Sequence, residues 1–236
     1  MCAIKKIRSL SVVFPCYNDS MTIGNLIETA DKAAKTVAEK HEIIVVNDGS
    51  TDTSPKILAD LQKKYPYLEV ITHARNMGYG ATIWDGLKAA KNEYIFYTDG
   101  DAQYDPSEMT KLVEELGEHT VLVNGYKTTR HDAFYRKFIG TSYNLFVKLL
   151  FNVKLRDVDC DFRLIKKEML DKIEVTEHGG TMCLEMVKRM EKLGGEIREV
   201  PVSHYERKYG KSQFFKIKNL LRVFVDIPKL FFMLGR

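Results

Sequence analysis

The first half of this 236-residue chain alternates short apolar runs with longer amphipathic runs. This alternation predicts βαβ units and therefore an α/β fold, with a mostly parallel central sheet that has helices on both faces. Strands are predicted at Leu10–Phe14, Ile43–Asn47, Leu68–Thr72, Tyr94–Thr98 and Val121–Asn124. Helices are predicted at Met21–Glu39, Pro55–Lys64, Tyr79–Ala90 and Pro106–Glu115.

The second half follows a less regular pattern. A basic, aromatic stretch runs from Lys127 to Phe151, and a polar run follows at residues 156–163. A helix is predicted near Thr181–Leu193, and a last strand is predicted from Ile197 to Tyr205, where Pro201 indicates an edge or a bulge. Because there is no repeat and no low-complexity linker, we expect this half to be built onto the first sheet.

Composition narrows the class of protein. Hydrophobic residues make up 44% of the chain, enough for a substantial core, and a formal net charge of +4 does not suggest a nucleic-acid binder. Eight Lys and Arg against two acids lie between Tyr205 and Arg236, so the positive charge is concentrated at the C-terminal end. The four cysteines lack zinc spacing, and neither a secretory signal nor a membrane span is recognisable, so a cytoplasmic protein with reduced thiols is expected.

Polar clusters follow four of the predicted strands. They are Pro15–Asn18, Asn47–Asp52, Arg75–Gly80 and Asp99–Gln103. In open parallel sheets, ligands bind beyond the carboxyl ends of the strands, where loops and helix N-termini converge. We therefore expect one crevice to gather all four clusters.

Asp99 and Asp101 flank a glycine directly after the strand Tyr94–Thr98. An acid-Gly-acid step is by itself a common turn, but a buried strand delivers this one to the mouth of the sheet. Two carboxylates there can direct oxygen ligands at one divalent cation, and Gln103 adds a third oxygen donor. Such a cation would bridge diphosphate oxygens and neutralise charge on a leaving nucleotide.

The other clusters suit a nucleotide. Carboxylates such as Asp48 and Asp52 can accept hydrogen bonds from a base or a ribose, although a polar turn between strand and helix explains them equally well. Asn76, Gly78 and Gly80 can bring backbone close to a diphosphate at a helix N-terminus. Their pattern is neither a Rossmann fingerprint nor a Walker loop.

Six motifs, in this order, resemble those of glycosyltransferase family 2, and most of all its dolichyl- or polyprenyl-phosphate sugar synthases. They are Val12–Asn18, Val45–Asp52, Asn76–Gly80, Thr98–Gln103, Arg156–Arg163 and Tyr205–Ser212. The resemblance implies a GT-A glycosyltransferase domain over residues 1–212, an inverting mechanism, and Mg²⁺ or Mn²⁺ held with the nucleotide diphosphate. It implies transfer of a hexose from a GDP- or UDP-sugar to polyprenyl or dolichyl phosphate.

The resemblance also implies roles for individual residues. The nucleotide sugar would be bound by Pro15, Tyr17, Asn18, Asp48, Asp52, Asn76, Gly78, Asp99, Arg207 and Ser212. Asp101 and Gln103 would bind the metal, which makes Asp101 a candidate catalytic residue. Arg207 and Ser212 would belong to a mobile lid over the diphosphate, and Gln213 stands where the related pattern often has Lys.

The acceptor decides whether the reaction needs a base. A lipid phosphate is already anionic, so the site must supply cations to hold it near the donor. Candidates are Arg130, Arg136 and Arg163, of which Arg136 fits the family's acceptor-phosphate position and is a candidate catalytic residue. A hydroxyl acceptor would instead need a carboxylate base, either Asp157, which matches the family motif on the acceptor side, or Asp161.

Residues 213–236 interleave apolar side chains with cations, as expected of basic amphipathic helices at the interface of an anionic membrane. A helix docked on the protein's own surface or on a partner is the alternative. The favoured prediction is a peripheral enzyme at the cytosolic face of a membrane, with a membrane-protein partner or a homo-oligomer left open. Two other functions also stay open: a family 2 transferase with a glycan or other hydroxyl acceptor, and a non-catalytic nucleotide-binding scaffold.

Overall fold

The computed structural model describes residues 5–128, 144–177, 179–210 and 217–234, and within residues 217–224 it describes the backbone alone. In this part of the chain, seven strands form one sheet. They are β1 (Ile7–Cys16), β2 (Ala38–Asn47), β3 (Leu68–Thr72), β4 (Tyr94–Thr98), β5 (Thr120–Lys127), β6 (Phe162–Lys166) and β7 (Glu196–Val202).

Helices connect and cover the strands. They are α1 (Ile23–Val37), α2 (Ser54–Lys64), α3 (Tyr79–Ala89), α4 (Met109–Glu114), α5 (residues 144–151), α6 (Lys167–Leu170), α7 (Met182–Lys192) and α8 (Ile217–Leu234). A short 3₁₀ helix, Pro106–Glu108, precedes α4. Pro55 lies in the first turn of α2, where its missing N–H leaves no helical hydrogen bond unmade.

The strands lie in the order β3-β2-β1-β4-β6-β5-β7. Strands β1 to β4 are parallel, β7 is parallel to β5, and β6 is antiparallel to both of its neighbours. The predicted mostly parallel sheet is therefore confirmed. The carboxyl ends of β1 to β4 meet at one edge, so the loops that follow them emerge side by side.

Two apolar cores lie on opposite faces of the sheet. Val12 and Phe14 of β1 pack with α1, α2 and α4 in the first core, whereas Val13 between them packs with α3, α5, α7 and α8 in the second. In β2, Ile43 packs in the first core and Ile44 packs in the second. Since successive side chains of a strand point to opposite faces, the continuous apolar runs in the sequence reflect strands that are covered on both sides.

The sequence did not predict β6. Its second residue, Arg163, is fully buried, and this charge interrupts the apolar pattern that indicates a central strand. The last two residues of the polar run at 156–163, Phe162 and Arg163, belong to this strand. The last predicted strand is present as β7 but ends at Val202, and Pro201 lies on this edge strand as predicted.

The C-terminal half of α8 packs on the rest of the molecule. Ile227, Leu230 and Leu234 are buried in the second core, and Lys229 Nζ lies 2.7 Å from a carboxylate oxygen of Glu177. Among the described helices, none combines the length and the apolar character needed to cross a membrane.

Candidate active site

Asn18 joins the loop after β1 to the loop after β2. Its side-chain Oδ1 accepts hydrogen bonds from the backbone N–H groups of Thr51, at 2.8 Å, and Asp52, at 3.2 Å. Its own N–H donates to Ser50 Oγ at 3.0 Å. Asn18 has a φ of 58°, a left-handed conformation that asparagine tolerates better than most residues. The first two polar clusters therefore form one connected surface.

Gly100 brings the loop after β4 against the loop after β1. A Cβ atom at this position would lie 2.2 Å from the carbonyl oxygen of Pro15, so no larger residue fits without backbone movement. The Gly100 carbonyl accepts a hydrogen bond of 2.8 Å from Thr22 Oγ1. The glycine of the Asp99-Gly-Asp101 step is thus needed for close contact between two loops.

Asp48 fixes the loop between β3 and α3. Its buried carboxylate accepts hydrogen bonds from the backbone N–H groups of Met77, at 2.7 Å, and Gly78, at 3.0 Å. Asn76, the neighbouring candidate, is exposed. The structure thus brings together the four polar clusters that the sequence singles out.

Asp99, Asp101 and Asp161 form a group of like charges at the end of β4, which we call the carboxylate cluster. Burial, followed by the charges of Asp161 and Asp101, holds the pKa of Asp99 well above its ordinary value. Burial also raises the pKa of Asp101. Tyr79 donates a hydrogen bond of 2.7 Å to Asp99 Oδ1 and acts in the opposite direction. Such a cluster favours a bound cation, because a cation offsets the mutual repulsion of ionised carboxylates.

Arg207 places a positive charge against this cluster. Its guanidinium forms an ion pair with Asp101 and donates a hydrogen bond of 3.3 Å to Gln103 Oε1. Two further hydrogen bonds join Gln103 to Tyr205, one between their backbones at 2.8 Å and one from Gln103 Nε2 to the Tyr205 carbonyl at 3.0 Å. The segment after β7 therefore contacts the Asp101–Gln103 turn, and its role as a lid stays a prediction.

The donor chemistry of Asp101 and Gln103 fits a hard divalent cation, since Mg²⁺ and Mn²⁺ prefer oxygen ligands. Within the described residues, no group of three or more His, Cys, Asp or Glu side chains is arranged to hold a metal by itself. Oxygen atoms of a bound phosphate would supply further ligands of the same kind. The arrangement suits a cation that arrives with its ligand.

Arg163 does not occupy the place predicted for it. It has no exposed surface, and its guanidinium donates to Asn124 Oδ1 at 2.6 Å, to the Tyr97 hydroxyl and to the Val158 carbonyl. It also lies 3.6 Å from Asp161 Oδ1. This burial contradicts the prediction that Arg163 binds an acceptor phosphate, because the side chain has no face open to a ligand.

Asp157 is buried, and its carboxylate contacts a backbone N–H and a lysine. Its Oδ1 accepts a 3.2 Å hydrogen bond from the N–H of Asp159, and its Oδ2 lies 3.7 Å from Lys127 Nζ. These contacts hold the turn before β6. Asp161 has 19% of its side chain exposed and raises the pKa of Asp99, so it is the candidate base that belongs to the carboxylate cluster.

The remaining candidates divide by position. Tyr17 is half-buried beside the crevice, and Asp52 accepts hydrogen bonds from the N–H groups of Ser20 and Ser54 at 3.1 and 2.9 Å. Three predicted residues, Arg130, Arg136 and Ser212, lie outside the described residues.

Sequence reasoning missed Asp19 and His73. Burial raises the pKa of Asp19 to about 6, with the charges of Asp101 and Asp52 acting in the same direction. Its place directly after the Pro15–Asn18 cluster was the available signal. His73 lies between Asp48 and Asp85, and nothing in the local sequence pattern indicates that contact.

Comparison with known proteins gives one family. Residues 11–174 match Glycosyl transferase family 2. A curated relative, the undecaprenyl-phosphate 4-deoxy-4-formamido-L-arabinose transferase of Proteus mirabilis, is 27% identical over 226 residues, covering 94% of this chain and 68% of the relative. The protein of the same name from Pseudomonas fluorescens is 26% identical over 94% of this chain and 64% of its own length. The chain thus spans about two thirds of the length of these relatives.

Solved structures of glucosyl-3-phosphoglycerate synthase from Mycobacterium tuberculosis share the fold. The complex with UDP superposes with a TM-score of 0.73 at 17% identity, covering 97% of this chain and 80% of that one. The complex with Mn²⁺, UDP-glucose and phosphoglyceric acid also gives a TM-score of 0.73 at 18% identity, covering 96% of this chain and 79% of that one.

Replacement of Gly100 by alanine tests the contact between the loops after β1 and β4. The new Cβ would collide with a backbone carbonyl, so we expect a loss of about 3 kcal/mol in unfolding free energy and a melting temperature lower by roughly 6–10 °C. Gly24→Ala in α1 is the control, because its Cβ would meet Ile57 Cγ2 at an ordinary 3.8 Å. Equal melting temperatures for the two variants would contradict the close contact.

Proposed function

The chain belongs to glycosyltransferase family 2 and has the predicted GT-A fold, and on this premise we propose that it transfers a sugar from a nucleoside diphosphate to polyprenyl phosphate. The observation that supports a nucleoside diphosphate sugar as the donor is the carboxylate cluster, which lies where the loops after β1 to β4 meet. The names of the curated relatives support the acceptor half. A hexose from a UDP- or GDP-sugar remains the specific prediction.

The donor would lie across the four loops. The nucleoside would contact Tyr17 and the loops that carry Asp48 and Asp52, and its diphosphate would reach the Asp101–Gln103 turn. There Mg²⁺ or Mn²⁺, when bound, would neutralise negative charge on the departing nucleoside diphosphate. Arg207, which already lies on that turn, would add a second positive charge on the same side. These residues hold and orient the donor, which contributes to rate by fixing the geometry of attack.

A phosphate acceptor needs no strong base, because its attacking oxygen is already anionic near neutral pH. What the chain must supply is positive charge on the acceptor side, since two phosphates repel each other. With Arg163 buried, the predicted cations there are Arg130 and Arg136. Asp161 would then contribute negative charge to the carboxylate cluster without accepting a proton from the acceptor.

A hydroxyl acceptor is the second candidate, and the position of Asp161 favours it. This carboxylate lies beside Asp99 and accepts a 3.3 Å contact from Cys183 Sγ, yet part of it remains exposed. It could remove a proton from a hydroxyl bound near the donor. The two acceptor classes therefore differ in how far the reaction depends on Asp161.

An apolar face on α5 and α8 supports attachment to a membrane surface. Leu149 of α5 is 76% exposed and Phe232 of α8 is 84% exposed, while Phe151 and Phe231 join the two helices with ring centroids 5.8 Å apart. Asn144 at the start of α5 donates a 2.8 Å hydrogen bond to the Arg156 carbonyl, in the turn that leads to Asp161. The face thus adjoins the acceptor side of the site.

The charge of these two segments suits an anionic lipid surface. Residues 144–155 contain Lys148 and Lys154 and no acid, and residues 217–234 contain Lys218, Arg222 and Lys229 against Asp226. Five cations against one acid give +4, which equals the formal net charge of the whole chain. Apolar side chains flanked by cations are the pattern of elements that lie in a membrane interface. The cytosolic side of that membrane remains a prediction.

Asp101→Asn tests the donor and metal site. Incubation of the wild type with UDP- or GDP-sugars, Mg²⁺ or Mn²⁺ and polyprenyl phosphate should give a sugar that extracts with lipid. The variant should lose at least about 100-fold of this activity, because neutral Asn is a weaker ligand for a hard cation.

Asp161→Asn should keep activity within about tenfold if the acceptor is a phosphate, and lose 100-fold or more if it is a hydroxyl. Absence of lipid-linked product with every donor would rule out the proposed function.

Leu149→Glu combined with Phe232→Glu tests the apolar face. Each replaced side chain would contribute about 1.5–3 kcal/mol on burial, so we expect co-sedimentation with phosphatidylglycerol-containing vesicles to weaken at least tenfold. Lys63→Glu on α2, on the opposite side of the sheet, lowers the net charge by the same amount and serves as the control. If the double variant sediments like the wild type, the face does not bind membranes.

A further inference from the structure

The side chain of His73 bridges two carboxylates at the carboxyl end of β3. Its Nδ1 lies 2.8 Å from Asp48 Oδ1 and its Nε2 lies 3.0 Å from Asp85 Oδ2. An ionised carboxylate accepts hydrogen bonds, so a ring nitrogen that carries a proton donates to the carboxylate that it faces. The backbone N–H of His73 also donates to the Asn47 carbonyl at 2.9 Å, which fixes the residue beside Asp48.

His73 completes the set of donors that orients Asp48. Among the described residues, Oδ1 of Asp48 accepts from His73 and from the Met77 N–H, whereas Oδ2 accepts only from the Gly78 N–H. A carboxylate has about four acceptor positions, so the three donors leave one open position, on Oδ2. The carboxylate is therefore held in one orientation with one oxygen still able to accept a hydrogen bond.

Asp85 holds the imidazole from its other side. It lies on α3, with 52% of its side chain exposed, and contacts the nitrogen that faces away from Asp48. The hydrogen bond made by one ring nitrogen determines how the other is presented. Asp85 therefore orients His73, which in turn orients Asp48.

We propose that His73 is a positioning residue for the donor nucleotide. It holds Asp48 so that the open position on Oδ2 faces the nucleoside, and its own ring nitrogens do not touch the donor. The inference rests on the proposed function, in which Asp48 lies at the nucleoside. Since Asp48 can only accept there, the arrangement suits a base that presents an N–H, as uracil and guanine do.

The structural alternative is that His73 only ties β3 to α3. His41 provides a matched comparison, because its Nε2 lies 2.8 Å from the buried carboxylate of Asp31. His41 lies near the beginning of β2, whereas the four loops follow the carboxyl ends of the strands, at the opposite end of the sheet. Loss of either histidine removes a hydrogen bond to a buried carboxylate, but only His73 adjoins the candidate site.

The test measures UDP and GDP binding by calorimetry, with Mn²⁺ and without acceptor, in His73→Ala, His73→Asn, His73→Gln and His41→Ala. The Asn amide can donate from near the Nδ1 position, whereas Gln reaches toward the Nε2 position. We expect His73→Ala to weaken binding of the preferred nucleotide at least about tenfold, and His73→Asn to restore it to within about threefold. His73→Gln should not restore binding, and His41→Ala should lower only the melting temperature.

Turnover gives a second measurement. In the transfer assay, His73→Ala should raise KM for the donor about tenfold and change kcat less than about threefold, because a positioning contact acts on donor binding. If His73→Ala does not fold, Asp85→Ala on the exposed face of α3 takes its place, with a smaller loss of affinity expected.

The outcomes are separable. If the wild type binds a nucleoside diphosphate and His73→Ala binds it within twofold, the positioning role is wrong while the proposed function stands. Equal rescue by Asn and Gln would also overturn the positioning role. If the wild type binds neither nucleotide with Mn²⁺, both the proposed function and this inference are wrong.

Discussion

Repulsion within the carboxylate cluster is the constraint on which the active site depends. Asp99, Asp101 and Asp161 lie close enough together that each additional charge makes ionisation of Asp99 harder, and burial adds to the cost. Arg207 offsets this charge from the segment after β7. A divalent cation brought by a diphosphate would offset it more fully, since it would carry two charges into the same space. Under the proposed function, such a cation would compete with Arg207 for the same carboxylates.

The scaffold explains how the cluster can be held together. Asp99 and Asp101 follow the carboxyl end of β4, and Asp161 directly precedes β6. Since β4 and β6 are neighbouring antiparallel strands, these three residues meet. Asn18, Gly100 and Asp48 then join the surrounding loops by short backbone contacts. Because the strands are buried on both faces, these loops have a rigid base. The proposed acceptor side would be built differently, from the turn at 156–161 and the helices α5 and α8.

The sequence was sufficient to predict the parallel strands and the gathering of their polar loops, because both follow from local patterns. Tyr94–Thr98 is an apolar run that ends in Asp99, and this alone places the acid at the mouth of the sheet. Arg163 shows where such reasoning fails. Its strand pairs with β4 and β5 across long sequence distances, and only that pairing reveals a buried cation instead of a phosphate ligand. Asp157 and His73 likewise depend on contacts with Lys127 and Asp85 that no local pattern contains.

On this account, the Asp101–Gln103 turn would bind a divalent cation jointly with a nucleoside diphosphate. Paramagnetic resonance of free Mn²⁺ tests it most directly, because the signal of the hydrated ion falls when the ion is captured. The protein alone should leave most of the Mn²⁺ signal in place, whereas protein with UDP or GDP should remove it stoichiometrically, beyond what the nucleotide does by itself. Equal capture with and without nucleotide, or no capture in either case, would contradict the claim.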